Sequence, residues 1–510
     1  MTKILDCTLR DGGYYTNWDF DDKAVDVYIQ AMNALPIDYL ELGYRNLPSA
    51  EYMGKFGYSP VSILKKIRKK CIKKLDVMLN EKSTRPEHLT ELLSPIEGLV
   101  DMIRIAIDPK NFDRALVLAR EVKNMGFEVG FNVMYMSTWL SVYKEFLEKL
   151  NLLNGVADLF CMVDSFGGVM PNDVRLITRV IKTKTSCPVG FHGHNNLQMG
   201  LINTLTAIEE GCEFVDATIL GMGRGAGNLN MELLLTALNK QGLEVDFNVL
   251  GDVVEAFTPL LEKYQWGTNL PYMISGANSI PQKEVMDWVG NRTYSFNSIV
   301  RALDNRKNNV VDNARYPVWL APSANRVLIV GGGSSVVEHN VAIEEFLQKN
   351  EDVTVIFATA RHAKLLNDVK NNKEYCLVGN EAKRMKAQLN AETFNGICVL
   401  PPYPRAMGTE VPEYVERATY ELSEITFTKS YLDSCTTTAL KCAIEHKATE
   451  VYIVGYDGYR GAILSEKEAD LSNENRTLFE DFKAFTGLKL ISLVPSVYKS
   501  LNVESIYQYL

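Results

Sequence analysis

The sequence predicts an α/β protein: a closed (β/α)8 TIM barrel with a helical extension, followed by a smaller Rossmann-like α/β domain. Three observations predict it. Over roughly the first 220 residues, short apolar, β-branched runs alternate with stretches of helical periodicity, eight times in all. Clusters of polar residues end the first, seventh and eighth runs, which become neighbours only if the sheet closes. The alternation lapses after Gly242 and restarts at Asn325, and 510 residues exceed what one core usually holds.

The expected barrel strands are residues 4–8, 39–43, 75–79, 102–107, 128–133, 159–164, 189–194 and 214–219. Helical periodicity fills 22–35, 111–125, 136–150, 171–183 and 198–210 between them. An open doubly wound sheet has the same periodicity; the polar strand ends favour closure. A barrel domain over 1–240 then leads into helical runs at 250–264, 282–288 and 297–303, an extension over 241–321. From 322 to 510 a second alternation begins with Arg326-Val327-Leu328-Ile329-Val330 and continues with runs at 353–358, 375–378, 396–400, 450–455 and 489–493.

Composition narrows the function. Apolar residues make up 46% and charged residues 23%, as in ordinary globular proteins. A net charge of -9 gives no long-range attraction to nucleic acid or anionic lipid, so neither is an expected partner. No signal-peptide pattern opens the chain and no apolar run approaches the ~20 residues that span a bilayer, so a cytoplasmic location is expected. The nine cysteines include no CxxC pair, which fits a reducing compartment and argues against a zinc–thiolate cluster.

The chemistry-bearing residues gather at strand ends. His192 and His194, two apart on a strand, project to one face and can share a cation through neutral imidazole nitrogens. Asp11 after strand 1 adds a carboxylate, and Asn228, closing Gly221-Met222-Gly223-Arg224-Gly225-Ala226-Gly227-Asn228, a neutral oxygen. Mixed nitrogen and oxygen ligands suit Mn²⁺ first, with Mg²⁺ or Co²⁺ as alternatives. A lone HxH is more often a polar strand end; the combination makes the signal.

Thr8-Leu9-Arg10-Asp11-Gly12, His192-Gly193-His194-Asn195-Asn196-Leu197 and Glu209-Glu210-Gly211-Cys212-Glu213-Phe214-Val215-Asp216-Ala217 together resemble the DRE-TIM metallolyase superfamily, and within it the 4-hydroxy-2-oxovalerate aldolases. The resemblance covers about residues 1–300. It implies metal ligation by Asp11, His192 and His194; Asn228 matches a ligand of the hydroxymethylglutaryl-CoA lyase and isopropylmalate synthase branches. It also implies small-molecule partners, a 2-oxo acid and an aldehyde, linked through a pyruvate-type enolate. A divalent ion stabilises such an enolate as a Lewis acid, and Arg10 can set a permanent charge beside the same oxygen.

One position departs from the aldolase pattern: where those enzymes carry a histidine base, this chain reads Gly13-Tyr14-Tyr15. Tyr14 or a metal-bound water is the candidate replacement, although an ordinary phenol, titrating near pH ~10, is a poor base at neutrality. Glu41, Arg45, Asn132, Asp164 and Ser165 end other strands and are candidate substrate contacts, with backbone hydrogen bonding as the competing role. The loop 46–60 is a candidate lid. In the second domain, Gly331-Gly332-Gly333-Ser334-Ser335 offers either a phosphate cradle or a tight turn and lacks the full dinucleotide fingerprint, so no cofactor-binding residue is assigned. Its later segments, 434–443 and 450–458, faintly resemble Rossmann-like domains of bacterial surface-sugar enzymes, including DUF115 and sialyltransferase-like groups. A homodimer and a handover to this attached domain are left open as further partnerships. Two alternative functions stand beside the aldolase: a Claisen-type acyl-CoA condensing synthase, for which the Glu-Gln pair of that branch is missing after Gly12, and a retired barrel serving as a binding module.

Overall fold

The computed structural model describes residues 2–50, 52–290, 296–309, 314–405, 409–459 and 466–510, in two compact units, Met1–Asp287 and Trp288–Leu510. In the first unit eight parallel strands close on themselves: β1 (Lys3–Asp6), β2 (Tyr39–Tyr44), β3 (Lys74–Asn80), β4 (Met102–Ile107), β5 (Glu128–Val133), β6 (Leu159–Asp164), β7 (Val189–Gly193) and β8 (Phe214–Ala217). β1 pairs with β8 in the register Ile4↔Val215 and Asp6↔Ala217, which excludes the open-sheet alternative.

The alternation of each strand sorts its side chains between two cores. Outward residues such as Ile103, Ile105, Val129 and Phe131 are buried beneath the surrounding helices. Inward residues form a floor of Leu5, Tyr39, Met102, Leu159 and Phe214. One pleat higher the inward positions turn polar: Glu41, Asp76, Arg104 and Asp216, all fully buried. An apolar plug below and a charged tier above is what puts chemistry at the carboxyl ends of the strands.

The helix Asp22–Ala34 starts at Asp21, whose carboxylate accepts from the Lys23 and Ala24 amides, and buries Val25, Tyr28, Ile29 and Met32. The helix Phe247–Tyr264 lies against it, with Phe257 6.0 Å from the Tyr28 ring and 6.4 Å from Phe20. The helix expected over 136–150 is instead a set of short turns: Met136–Thr138, Lys144–Leu147 and Leu150–Leu153. Trp139, Phe146, Leu150 and Leu153 are all buried there, and their packing on Phe112 and Phe160 sets the path of the chain over its helical periodicity.

The second unit holds an eight-stranded parallel sheet in the order β13-β12-β11-β10-β9-β14-β15-β16, where β9 is Arg326–Val330, β10 Thr354–Phe357, β11 Lys373–Cys376, β12 Ile397–Leu400, β13 Thr419–Glu421, β14 Glu450–Val454, β15 Leu490–Ser492 and β16 Asn502–Val503. Leu328 and Val330 face one core and Val327 and Ile329 the other, so helices cover both faces. The strand order reverses between β9 and β14. At that point the Ser335 amide donates to Asp457 Oδ2 at 3.0 Å, the Ser335 hydroxyl donates to Asp457 Oδ1, and a Cβ on Gly333 would lie 2.5 Å from Asp457. The glycine turn is therefore closed by the chain's own carboxylate, the structural-turn reading of that motif. Among the described residues no helix is long and apolar enough to cross a membrane.

Candidate metal centre at the barrel mouth

The turn after β1 is pinned before it presents any ligand. Asp6 accepts from the Thr8 amide at 2.8 Å, the Thr8 hydroxyl at 3.0 Å and Tyr28 Oη at 2.6 Å. Thr8 Oγ1 in turn accepts from the Ile219 amide at 2.8 Å, across the seam of the barrel. The single helical turn Thr8–Asp11 then carries Arg10 and Asp11 into the mouth, both buried.

Asp11, His192 and His194 meet there, each offering a ligand atom within 4.8 Å of the others. His192 Nε2 is 3.5 Å from Asp11 Oδ2, and Asn228 Nδ2 donates to the same oxygen at 2.6 Å. Asn228 Oδ1 is buried with no hydrogen-bond partner, an acceptor that a cation beside Asp11 would satisfy. One carboxylate, two imidazoles and a carboxamide oxygen suit a divalent ion with room for substrate oxygens, so the residues fit the metal that the sequence implies.

Their protonation states agree. Burial pushes His194 down to about 3, so its imidazole is neutral; Nδ1 donates to the Asp164 carbonyl at 2.8 Å, which leaves Nε2 as a free lone pair. Burial opposes charge on His192 as well, but the hydrogen bonds to Asp11 and Asp216 outweigh it and raise its affinity for a proton. For Asp11, burial is overcome by the Arg10 guanidinium and His192, which hold the carboxyl well below the usual range. A second donor set, Cys7, His192 and Asp216, lies one layer deeper. Burial lifts the Cys7 thiol well above its ordinary value, and Asp216 Oδ2 already accepts from Arg104 Nη2 at 2.6 Å and contacts His192 Nδ1 at 2.9 Å. That layer orients His192, its carboxylate already committed to Arg104 and the imidazole.

Arg10 is fixed by two carboxylates: Nη1 contacts Asp11, and Nε donates to Glu41 Oε2 at 2.7 Å. Beneath it Arg104 spans the barrel, donating from Nε to Asn132 Oδ1 at 2.7 Å and lying 3.4 Å from Glu41 Oε1. Thus one buried guanidinium stands under both Glu41, which holds Arg10, and Asp216, which holds His192. Arg104 and Asp216 were not among the expected site residues. The signal was present: each interrupts an apolar strand with a charge at an inward position. Asp76 completes the tier, both of its carboxyl oxygens buried without a partner, and burial together with neighbouring Glu41 raises its pKa well above the usual range.

The remaining candidates divide. Tyr14, about a third exposed at the rim, has its hydroxyl 3.1 Å from Tyr44 Oη. Asp164 accepts from the Gly168 and Val169 amides at 3.2 and 3.3 Å, and burial lifts its carboxyl to about 6. Ser165 Oγ accepts from the Tyr135 amide at 2.9 Å. Arg45 is not brought to the centre: its guanidinium donates to the carbonyls of Leu92 at 2.8 and 2.5 Å, Tyr58 at 3.0 Å and Ser59 at 3.3 Å. It ties down the loop that precedes Val61, with four of its five N–H donors spent on backbone carbonyls.

This geometry can be set beside known proteins. An HMGL-like family profile matches residues 107–255. A 4-hydroxy-2-oxovalerate aldolase of Thermomicrobium roseum is 32% identical over 274 residues, which cover 52% of this chain and 74% of that enzyme. An oxaloacetate decarboxylase of Mycobacterium tuberculosis is 28% identical over 246 residues, 47% of this chain and 70% of its own. Among solved structures, the N-terminal domain of a Bacteroides vulgatus protein assigned as an aldolase is 70% identical, covering 59% of this chain and 99% of that one, with a TM-score of 0.57. The barrel, its strand-end motifs and these relatives agree, and the chain belongs to the HMGL-like family of DRE-TIM lyases, whose members depend on a divalent metal.

Proposed function

We propose that the protein is a metal-dependent aldolase that interconverts a 4-hydroxy-2-oxo acid with pyruvate and an aldehyde. The observation that carries this reading is the convergence of Asp11, His192 and His194 beside the fixed guanidinium of Arg10. Asp11, His192 and His194 would hold the cation, Mn²⁺ by preference, with Asn228 Oδ1 as a fourth donor. When bound, the ion supplies Lewis acidity at the carbonyl of the 2-oxo acid.

The chain's own groups do the rest. Arg10, clamped by Glu41, keeps a permanent charge ready for the enolate oxygen, and because it is buried and prepaired it need not reorganise as that charge develops. His194 is held neutral, and Asp216, itself held by Arg104, orients the His192 ring so that Nε2 would face the cation. Tyr14 suits the acid role better than the base role. In the condensation direction the aldehyde oxygen becomes an alkoxide and takes the phenolic proton; Tyr44 can donate its O–H to the phenolate so formed, and solvent at the rim restores the proton. In cleavage the same proton travels back.

The test is deuterium exchange at the methyl carbon of pyruvate with Mn²⁺ present, which needs enolate formation and no aldehyde, followed by pyruvate consumption across an aldehyde panel. Exchange should occur and should fall ~100-fold or more in Arg10→Ala with bound metal retained. Metal-loaded wild-type protein that exchanges no methyl hydrogen overturns the reading.

A further inference from the structure

Arg224 projects from the glycine-rich loop after β8, and that loop is held from several sides. Tyr15 Oη donates to the Gly225 carbonyl at 3.1 Å, Trp266 Nε1 to the Leu220 carbonyl at 2.9 Å, and the Asn195 amide to the Gly227 carbonyl at 2.9 Å. The guanidinium lies 5.4 Å from the centre of the Tyr14 ring. Its field also reaches His194 and the Tyr135 hydroxyl, on the loop after β5. Arg224 therefore stands at the mouth beside the proposed proton donor.

It differs from the other site arginines in its partners. Arg10 and Arg104 each face two carboxylates. Among the described residues no carboxylate pairs with Arg224, although it is only partly exposed. Asp108, whose charge acts on the Tyr135 hydroxyl as that of Arg224 does, contacts Lys110 at 2.9 Å. A guanidinium half withdrawn from water, flanked by phenols and left without a counter-ion, is a receptor for an oxyanion, which its planar donors can grip in two places.

We propose that Arg224 binds a carboxylate or phosphate carried by the aldehyde, so that the acceptor substrate is anionic. The assignment rests on the aldolase reading and deepens it. The charges of the 2-oxo acid are already answered by the cation and Arg10, whereas Arg224 sits against Tyr14, the group that serves the aldehyde oxygen.

The experiment pairs each anionic aldehyde with a neutral one of similar size: succinic semialdehyde with pentanal, and glycolaldehyde phosphate with glycolaldehyde. Wild-type kcat/KM should favour an anionic member at least ~10-fold, and which pair shows it separates carboxylate from phosphate. Arg224→Gln should reduce the ratio to near one, and Arg224→Lys should restore part of it. A variant damaged only structurally loses both members of a pair equally and leaves the ratio unmoved. A wild type without charge preference, or a preference that survives in Arg224→Gln, overturns the assignment. Equilibrium binding of the same aldehydes to protein loaded with Mn²⁺ and oxalate needs no turnover. Arg224-dependent discrimination there, with no pyruvate exchange, sinks the aldolase reading alone; no discrimination there sinks the anion assignment.

Discussion

Asp216 is buried below the mouth and fixes which nitrogen of His192 faces the centre, with Nδ1 held 2.9 Å from its carboxylate. Replacing it by Asn keeps the shape and removes the charge, and we expect Mn²⁺ affinity to fall ~10- to 100-fold, measured by titration of the metal-free protein. Asp6, under the same turn, gives a stability signature. Burial pushes its carboxyl up to about 6, against the hydrogen bonds from Tyr28 and Thr8. The native state then holds a proton that the unfolded chain has lost between pH ~4 and ~6, so this group's contribution to stability falls as pH rises through that window. In Asp6→Asn that slope disappears: by denaturant unfolding, the wild-type advantage over the variant should shrink by roughly 2 kcal/mol from pH 4 to pH 7. At this scale the sequence was readable wherever spacing alone brings donors together, as in His192 and His194, or wherever a motif ends a strand, as in Arg10-Asp11 and Asn228. Arg104 and Asp216 left a signal, a charge interrupting an apolar strand, but which groups those charges face depends on the partner strands and is not written in the strand itself. Arg45 is the opposite case: a strand-end arginine looks free until the carbonyls around it are known.

Among elements, the loop from Gly221 to Asn228 bears the most consequence for its length. Gly227 has φ +78°, and a Cβ there would stand 2.4 Å from the Gly221 carbonyl. Gly227→Ala should destabilise the barrel unit by ~1–3 kcal/mol through this strained conformation. Because Asn228 is the next residue, Mn²⁺ binding should weaken along with the melting temperature, and a variant that melts early but binds normally would show that the loop and the centre are uncoupled. The eight barrel strands were legible because each is a short, mostly apolar run bounded by polar turns. The segment after Met136 was not, since buried Trp139 and Phe146 mimic helical spacing while actually packing on Phe112 and Phe160. β13 and β16, three and two residues long, are too short to show any period.

For the molecule as a whole, every residue of the candidate centre lies within Met1–Asp287, and the solved Bacteroides vulgatus relative is itself an isolated N-terminal domain. A chain of residues 1–290 should therefore fold alone and bind Mn²⁺ as tightly as the full protein; calorimetry on both forms checks this, and a tenfold loss in the shorter one would assign part of the centre to the remainder. The barrel order also sets when the centre can exist. Asp11 and the Asn228 that grips it are separated by 217 positions, and β1 finds its second neighbour only in β8. During synthesis the first ligand leaves the ribosome long before its companions, so a nascent chain short of Asn228 has nothing complete to offer a cation. On the metal reading proposed above, ion capture would be a late event that reports that the ring has shut.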